Sequence, residues 1–294
     1  MKIAVTGASG LIGSALVPAL RADGHDVVRF VRGPADAADE RRWDPASRRV
    51  EPQAVADLDA VVHLAGVGVA DHRWTPPYKA KILSSRLDGT TAIAQAVAVA
   101  GGPAVLLSAS AIGWYGDTGD RLTDETGPLG QGFLADVCRR WEEATGPADQ
   151  AGLRVVHLRT GIVLTSRGGA LAKQVKLWRA GLGAPLGTGD QWLSWITLQD
   201  EVAAIQHCLT AQVSGPVNLV SPTPVTNREF TKALGSAVHR PTLPVPVPGF
   251  VLKGVLGELA HEVLTGQRLA PAVLERTGFA FAQGDLAAAL RASL

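Results

Sequence analysis

Short apolar runs alternate along the chain with longer stretches in which apolar positions return every three or four residues. Residues 2–5, 26–31, 60–66, 104–107, 152–164 and 215–220 have the length and apolar character of buried strands. Residues 12–20, 83–97, 132–144, 171–179 and 200–209 carry helical spacing. Strand and helix in turn predict βαβ units. The fold class is therefore α/β, with a doubly wound, mostly parallel sheet of about seven strands and helices on both faces. Past residue 165 the alternation weakens. A helix starting near Asn227, another over 249–266 and an amphipathic one at the end of the chain predict a small α-rich carboxyl-terminal lobe.

Local signals place the breaks. Gly24, in Asp23-Gly24-His25, suits the end of the first helix. Residues 33–57 are polar without a clear period, and Trp43-Asp44-Pro45 reads as a turn. Residues 71–81 read as a loop leading into a helix. Thr226 or Asn227 caps the helix that follows, with Glu229 near its third position. The proline-rich run 241–248 reads as an extended connection.

The most informative stretch is Thr6-Gly7-Ala8-Ser9-Gly10-Leu11-Ile12-Gly13. Strand, glycine turn and helix in that order form a dinucleotide-binding context. Gly7 permits a sharp turn, Gly10 removes a side chain where backbone approaches a pyrophosphate, and Gly13 lets helix and strand pack closely. The helix start offers free N–H groups and a partial positive charge to the phosphates. The second strand runs into Arg32, where an NAD-selective fold has Asp or Glu for the ribose 2′-hydroxyl. A guanidinium there suits a 2′-phosphate, so the expected cofactor is NADP, as NADPH.

Composition narrows the class. The chain is 46% hydrophobic and 19% charged with a formal net charge of +1, which makes no electrostatic case for nucleic acid or an acidic membrane. Two cysteines, Cys138 and Cys208, have no metal-ligand spacing and fit a reducing compartment. The early glycine motif and the lack of a long apolar run lead to the expectation of a cytoplasmic protein without signal peptide, membrane span or metal. The partners expected are a small-molecule substrate and a second copy of the chain.

Thr6–Gly13 resembles the TGxxGxxG signature of short-chain dehydrogenases/reductases, in their extended, epimerase/dehydratase-like branch. Further segments resemble a little-characterised epimerase-like family within it. These are His63-Leu64-Ala65-Gly66, Ser85-Arg86-Leu87 with Thr90, Phe133-Leu134 through Val137-Cys138 to Trp141-Glu142, Arg159-Thr160-Gly161 with Val163-Leu164, and Gly187-Thr188-Gly189 with Gln191, Trp195-Ile196 and Asp200. The resemblance implies a Rossmann domain over 1–165, completed by about 195–221, and a substrate lobe from 166–194 and 222–294. It implies cofactor contacts at Thr6, Gly7, Gly10, Leu11, Ile12, Gly13, Arg32, His63, Leu64, Ala65, Gly66 and Arg159. His63 reads as a packed or hydrogen-bonded strand residue rather than a catalyst, Arg159 equally as half of a salt bridge, and Trp192 and Trp195 as cleft wall or core.

The same resemblance places a hydroxyl at the end of the strand that begins at 104–107, matched by Ser110, and a Tyr-Gly beyond it, matched by Tyr115-Gly116. The branch's usual acid is a Tyr four residues before a Lys on the next helix, the Lys lowering the phenol's pKa. This chain has two tyrosines, Tyr78 and Tyr115, with Ile82 and Gly119 four residues on, so YxxxK is absent. Ser110 and Tyr115 are then the catalytic candidates. Two functions are carried forward. One is an NADP-binding oxidoreductase or epimerase-like protein acting on a small polar substrate. The other is a non-catalytic NADP-binding redox sensor or interaction module.

Overall fold

The computed structural model describes residues 1–294. In chain order its strands are β1 (Lys2–Thr6), β2 (Asp26–Val31), β3 (Glu40–Arg42), β4 (Ala60–His63), β5 (Val105–Ala111), β6 (Arg154–Thr160), β7 (Ile162–Leu164), β8 (Trp192–Leu193), β9 (Trp195–Thr197), β10 (Gly215–Leu219) and β11 (Val225–Thr226). The helices are α1 (Gly13–Ala22), α2 (Pro76–Ala100), α3 (Phe133–Glu143), α4 (Gly146–Gln150), α5 (Gly169–Arg179), α6 (Leu198–Thr210), α7 (Asn227–Ala237), α8 (Gly249–Leu256), α9 (Ala260–Leu264), α10 (Ala272–Arg276) and α11 (Leu286–Ser293).

Seven strands form one parallel sheet in the order β10-β6-β5-β4-β1-β2-β3. Both faces are covered, which is why the central strands read as continuous apolar runs. On one face, Ile3, Val5, Val62, Leu107 and Leu158 pack against Leu16 and Leu20 of α1 and Ile205 and Leu209 of α6. On the other, Ala4, Val61, Leu106 and Val155 meet Ile93 and Val97 of α2 and Ala148 of α4. The order reverses between β1 and β4, and ligands of such sheets gather in the crevice at that point, beyond the carboxyl ends of the strands. A further core of Leu171, Trp178, Trp195, Phe230, Leu234 and Leu290 joins α5, α7 and α11 outside the sheet.

The structure departs from the pattern in four places. The seventh strand is β3, three polar residues on the sheet edge paired through their backbone to Arg29, Phe30 and Val31. Backbone pairing needs no apolar alternation, so the run 33–57 hides it. Helix α2 begins at Pro76, inside the expected loop, because Thr75 accepts a hydrogen bond from the Tyr78 amide and Pro76-Pro77 suit the first turn. Residues 152–164 are two strands parted at Gly161, the second pairing with β9 outside the main sheet. The helix expected over 249–266 breaks at Gly257, whose φ of +64° ends α8. Thr226 is the cap of α7, with Glu229 completing a capping box. No helix is long and apolar enough to cross a membrane.

Candidate functional site

At the exit of β1 the chain turns at Gly7, with φ +66°, directly against the β4 exit. A Cβ on Gly7 would sit 2.9 Å from the Leu64 carbonyl carbon, and one on Gly13 would overlap the Gly7 carbonyl oxygen. Only hydrogen fits at either position. The amides of Gly10 and Ser14 are satisfied within the turn, by Gly7 and Gly10 carbonyls at 2.9 Å each. Those of Leu11, Ile12 and Gly13 donate to no protein acceptor. Three free donors at a helix start, on a bare glycine surface, suit a pyrophosphate. The residues present therefore fit a dinucleotide.

The carboxyl end of β2 is basic. Arg32 is exposed, and no carboxylate pairs with it. The β2–β3 register sets Arg42 opposite Val31, one residue from Arg32, and Arg42 is also exposed and unpaired. Asp39, which precedes β3, is engaged by Arg29 at 2.7 Å and by Arg21. Arg42 escaped sequence reading because β3 did. Beneath this end, Trp43 is buried and packs edge-on to Phe30 and His63, so it belongs to the core.

His63 is wholly buried, and burial lowers its pKa to about 4, which leaves it neutral. The Thr6 hydroxyl accepts from the amides of Leu64 (3.1 Å) and Ala65 (3.3 Å) and lies 2.8 Å from His63 Nδ1. A hydroxyl that accepts twice has one proton to give, so Thr6 donates to Nδ1 and the ring proton is on Nε2. Nε2 meets no polar partner. Thr6 and His63 thus fix the backbone of Leu64, Ala65 and Gly66 beside the glycine turn.

At the end of β5 both candidate hydroxyls point inwards. Ser110 is 4% exposed and donates to Glu142 Oε1 at 2.6 Å. Tyr115 is 3% exposed, donates to Asn218 Oδ1 at 2.7 Å and accepts from Arg159 Nη1 at 2.9 Å. Burial, only partly offset by Arg159, holds the phenol up at about 12. Arg159 is 3% exposed and closes a two-point ion pair with Glu142. Its guanidinium stacks 4.0 Å from the Trp114 ring. Of the two readings left open for Arg159, the salt bridge is the one present in the structure. Sequence reading missed Glu142, Asn218 and the buried Glu125, which accepts from the Asn218 amide at 3.0 Å. A charge among the apolar positions Val137, Cys138 and Trp141 of α3 was the available signal for Glu142.

Helix α3 presents Leu134 and Cys138, one turn apart, to Gly113 at the β5 exit. A Cβ on Gly113 would lie 3.0 Å from Leu134 Cβ and 3.5 Å from Cys138 Sγ. Burial pushes the Cys138 thiol up to about 12, so it carries no charge. Trp195 is fully buried core, while Trp192 is half-buried under the Arg268 guanidinium, 4.2 Å from its ring. No group of His, Cys, Asp and Glu is arranged to hold a metal ion. A surface cavity of about 850 Å³ lies at the amino-terminal ends of β6 and β10, lined by Glu143, Asp149 and Arg154 among others. That is the end of the sheet away from the glycine turn.

Comparison with known proteins agrees with this geometry. A model described as the NAD dependent epimerase/dehydratase family matches residues 3–220, and one described as a domain of unknown function matches 247–293. An epimerase family protein of Mycobacterium bovis, Mb2239, is 49% identical over 290 residues, covering 98% of this chain and 96% of that one. The crystal structure of human epimerase family protein SDR39U1 with NADPH superposes with a TM-score of 0.91 at 32% identity, covering 100% and 99% of the two chains. UDP-glucose 4-epimerase of Thermus thermophilus, in complex with NAD, shares the fold at a TM-score of 0.78 and 21% identity, covering 100% and 97%.

Proposed function

The chain belongs to the NAD-dependent epimerase/dehydratase family, and we propose that it is an NADPH-binding member in which the usual tyrosine–lysine proton relay has been replaced. The pyrophosphate would rest on the free amides of Leu11, Ile12 and Gly13. The 2′-phosphate would meet Arg32 and Arg42. Thr6 and His63 would hold the wall formed by Leu64, Ala65 and Gly66. Bound NADPH would supply a hydride donor. The relative with NADPH bound supports the cofactor choice.

The observation that carries the rest is the pairing of Leu134 and Cys138 against Gly113, with the hydroxyls of Ser110 and Tyr115 turned to Glu142 and Asn218. No side chain there delivers a proton at neutral pH. This favours a protein that holds NADPH as a sensor or interaction module over one that epimerises sugars by the tyrosyl route. A reductase acting on a small polar substrate remains the second reading, favoured by an unneutralised guanidinium described below.

The test is a fluorescence titration with NADPH and NADH beside a turnover assay with UDP-glucose and UDP-galactose. Saturable NADPH binding without interconversion of the two sugars is the expected result. Interconversion at rates of about 1 s⁻¹ or more, the low end of ordinary turnover, would overturn the proposal.

A further inference from the structure

The segment Ser85-Arg86-Leu87 with Thr90 lies on α2, and the cofactor site does not account for it. Its side chains address the loop that leaves β4. Ser85 accepts from the Val67 amide at 3.3 Å, and Tyr78 donates to the Gly68 carbonyl at 2.5 Å. Arg86 Nη1 donates to the carbonyls of Val67 (3.1 Å) and Ile82 (3.0 Å). Thr90 accepts from Trp141 Nε1 at 2.9 Å, which fixes the indole under the Arg86 guanidinium, 4.8 Å from its ring.

Arg86 is the exception among these contacts. Its Nε and Nη2 donate to no protein group, and no carboxylate pairs with it. Besides burial, which lowers its pKa, the groups that bear on its charge are the Cys138 thiol and the Tyr78 phenol, both neutral at pH 7. Arg159 also stacks on a tryptophan, but Glu142 neutralises it. Latching a loop carbonyl takes a single donor and no charge. A partly buried guanidinium left without an anion costs stability unless a ligand supplies one. The free Nε–Nη2 edge is the fork that receives carboxylate or phosphate oxygens two at a time. Gly66 lies against the same side chain, where a Cβ would meet Arg86 Cγ and Cζ at 3.6 Å and Nη1 at 3.7 Å. Gly66 is two residues from Leu64, which backs the glycine turn, and Cys138 occupies the neighbouring turn of α3.

We propose that Arg86 is the anion receptor of the crevice, taking an oxyanion with its free Nε–Nη2 edge. The site rests on the cofactor reading for its place in the crevice and on Arg86 itself for its chemistry. The oxyanion comes either from the cofactor's phosphates or from a carboxylate or phosphate on a substrate.

The test uses the full chain, with malonate and inorganic phosphate as probes against chloride at matched ionic strength. Thermal unfolding is followed with and without NADPH, and circular dichroism checks each variant's fold. The melting temperature of the unmodified protein should rise with either probe. Arg86→Gln should weaken that response by about tenfold or more, the loss expected of a charge-assisted contact, and Arg86→Lys should give an intermediate response. Gly66→Asp would set an internal carboxylate against the guanidinium and neutralise it, so it should melt higher without added anion and respond less to the probes. If Arg86→Gln also weakens NADPH binding and NADPH abolishes the probe response, the oxyanion is the cofactor's. If NADPH binding is unchanged and the response persists in its presence, the oxyanion belongs to a substrate. Equal responses in the unmodified protein, Arg86→Lys and Gly66→Asp would overturn the proposal, even if Arg86→Gln fails to fold. Absence of NADPH binding by the unmodified protein would sink the cofactor reading, while the cofactor-free titration would still decide Arg86.

Discussion

Arg159 and Glu142 meet edge to edge inside the protein, with Nε 2.9 Å from Oε1 and Nη2 3.0 Å from Oε2. They come from β6 and α3, and the pair ties the helix to the sheet with Ser110 and Tyr115 attached to it. Both partners are buried, so removing one strands the other's charge. Glu142→Gln should therefore lower unfolding stability by about 3–5 kcal/mol, measured in urea. The double change Glu142→Leu with Arg159→Met should recover most of that loss. A single-variant cost below about 1 kcal/mol, the range of exposed pairs, would mean that water reaches the pair.

The sheet was legible because burial on both faces writes apolar runs into β1, β2, β4, β5 and β6. Strand β3 was not, since Glu40, Arg41 and Arg42 lie on an edge where backbone bonds alone decide. The glycine turn was equally legible, because its geometry is local and spaced by the turn itself. The Ser110–Glu142–Arg159–Tyr115–Asn218 network was not. Its members come from five segments brought together by α3 packing on β5 and by the side-by-side pairing of β5, β6 and β10, and no sequence spacing encodes that meeting. Arg86 lies between these cases. Its motif was visible, but the missing carboxylate that gives it meaning is a property of the folded surroundings.

The glycine turn separates two kinds of damage. At Gly10 a Cβ would meet only the Gly7 carbonyl oxygen, at 3.1 Å. Gly10→Val should fold and lose NADPH binding, because the branches would occupy the pyrophosphate position. Gly13→Ala forces a methyl into the Gly7 carbonyl, so it should lower the melting temperature as well. Calorimetry on folded Gly10→Val that returns unchanged NADPH affinity would place the pyrophosphate elsewhere.

The two unpaired arginines at the ends of β2 and β3 would, on the proposed reading, set a preference for NADPH. Each charge-assisted contact to a 2′-phosphate contributes about 1.5–3 kcal/mol, or roughly ten- to a hundredfold in affinity. Arg32→Ala and Arg42→Ala should each weaken NADPH and leave NADH nearly unchanged. The double variant should bind the two cofactors alike. Equal affinities in the unmodified protein would refute the assignment.

Glu201 and His63 give opposite pH dependences. Burial, against one hydrogen bond from Thr160, raises the Glu201 carboxyl to about 8, and its Oε2 has no partner. The folded state keeps that proton when the unfolded chain has lost it. The stability it contributes is full below the unfolded carboxylate's pKa of about 4.3 and declines as pH rises towards 8. Buried His63, lowered to about 4, acts the other way. Its contribution is full above the unfolded imidazole's pKa of about 6.5 and is lost as pH falls towards 4. The two nearly cancel between about 4.3 and 6.5, and Glu201 alone acts between about 6.5 and 8. Glu201→Gln should thus raise the melting temperature at pH 8.5, change it little near pH 4, and flatten the decline between 6.5 and 8. A decline that survives the substitution would assign it to another group.

Tyr115 decides between holding and reacting. Its hydroxyl donates a hydrogen bond to Asn218 Oδ1 at 2.7 Å and accepts one from Arg159 Nη1 at 2.9 Å. Both contacts lie inside the protein, and burial keeps the phenol near 12, far from a proton exchanger at neutral pH. Tyr115→Phe removes the hydroxyl and keeps the ring against Ile112, Val220 and Leu269. It leaves a buried amide oxygen and one guanidinium N–H unpaired, at a cost of about 1–3 kcal/mol. The expected outcome is a lower urea midpoint with an unchanged slope, and an NADPH affinity within about twofold of the unmodified protein, the ordinary context scatter of such measurements. Asn218→Ala, which also frees the Ala270 carbonyl that Asn218 Nδ2 reaches at 2.9 Å, should cost more, and the two losses should not add fully, because they share the Tyr115–Asn218 bond. Should a substrate be found whose reduction falls by about 10²–10⁴-fold in Tyr115→Phe with stability intact, the range of a lost general acid, the phenol would be the acid after all, and the inward geometry would have to open on binding.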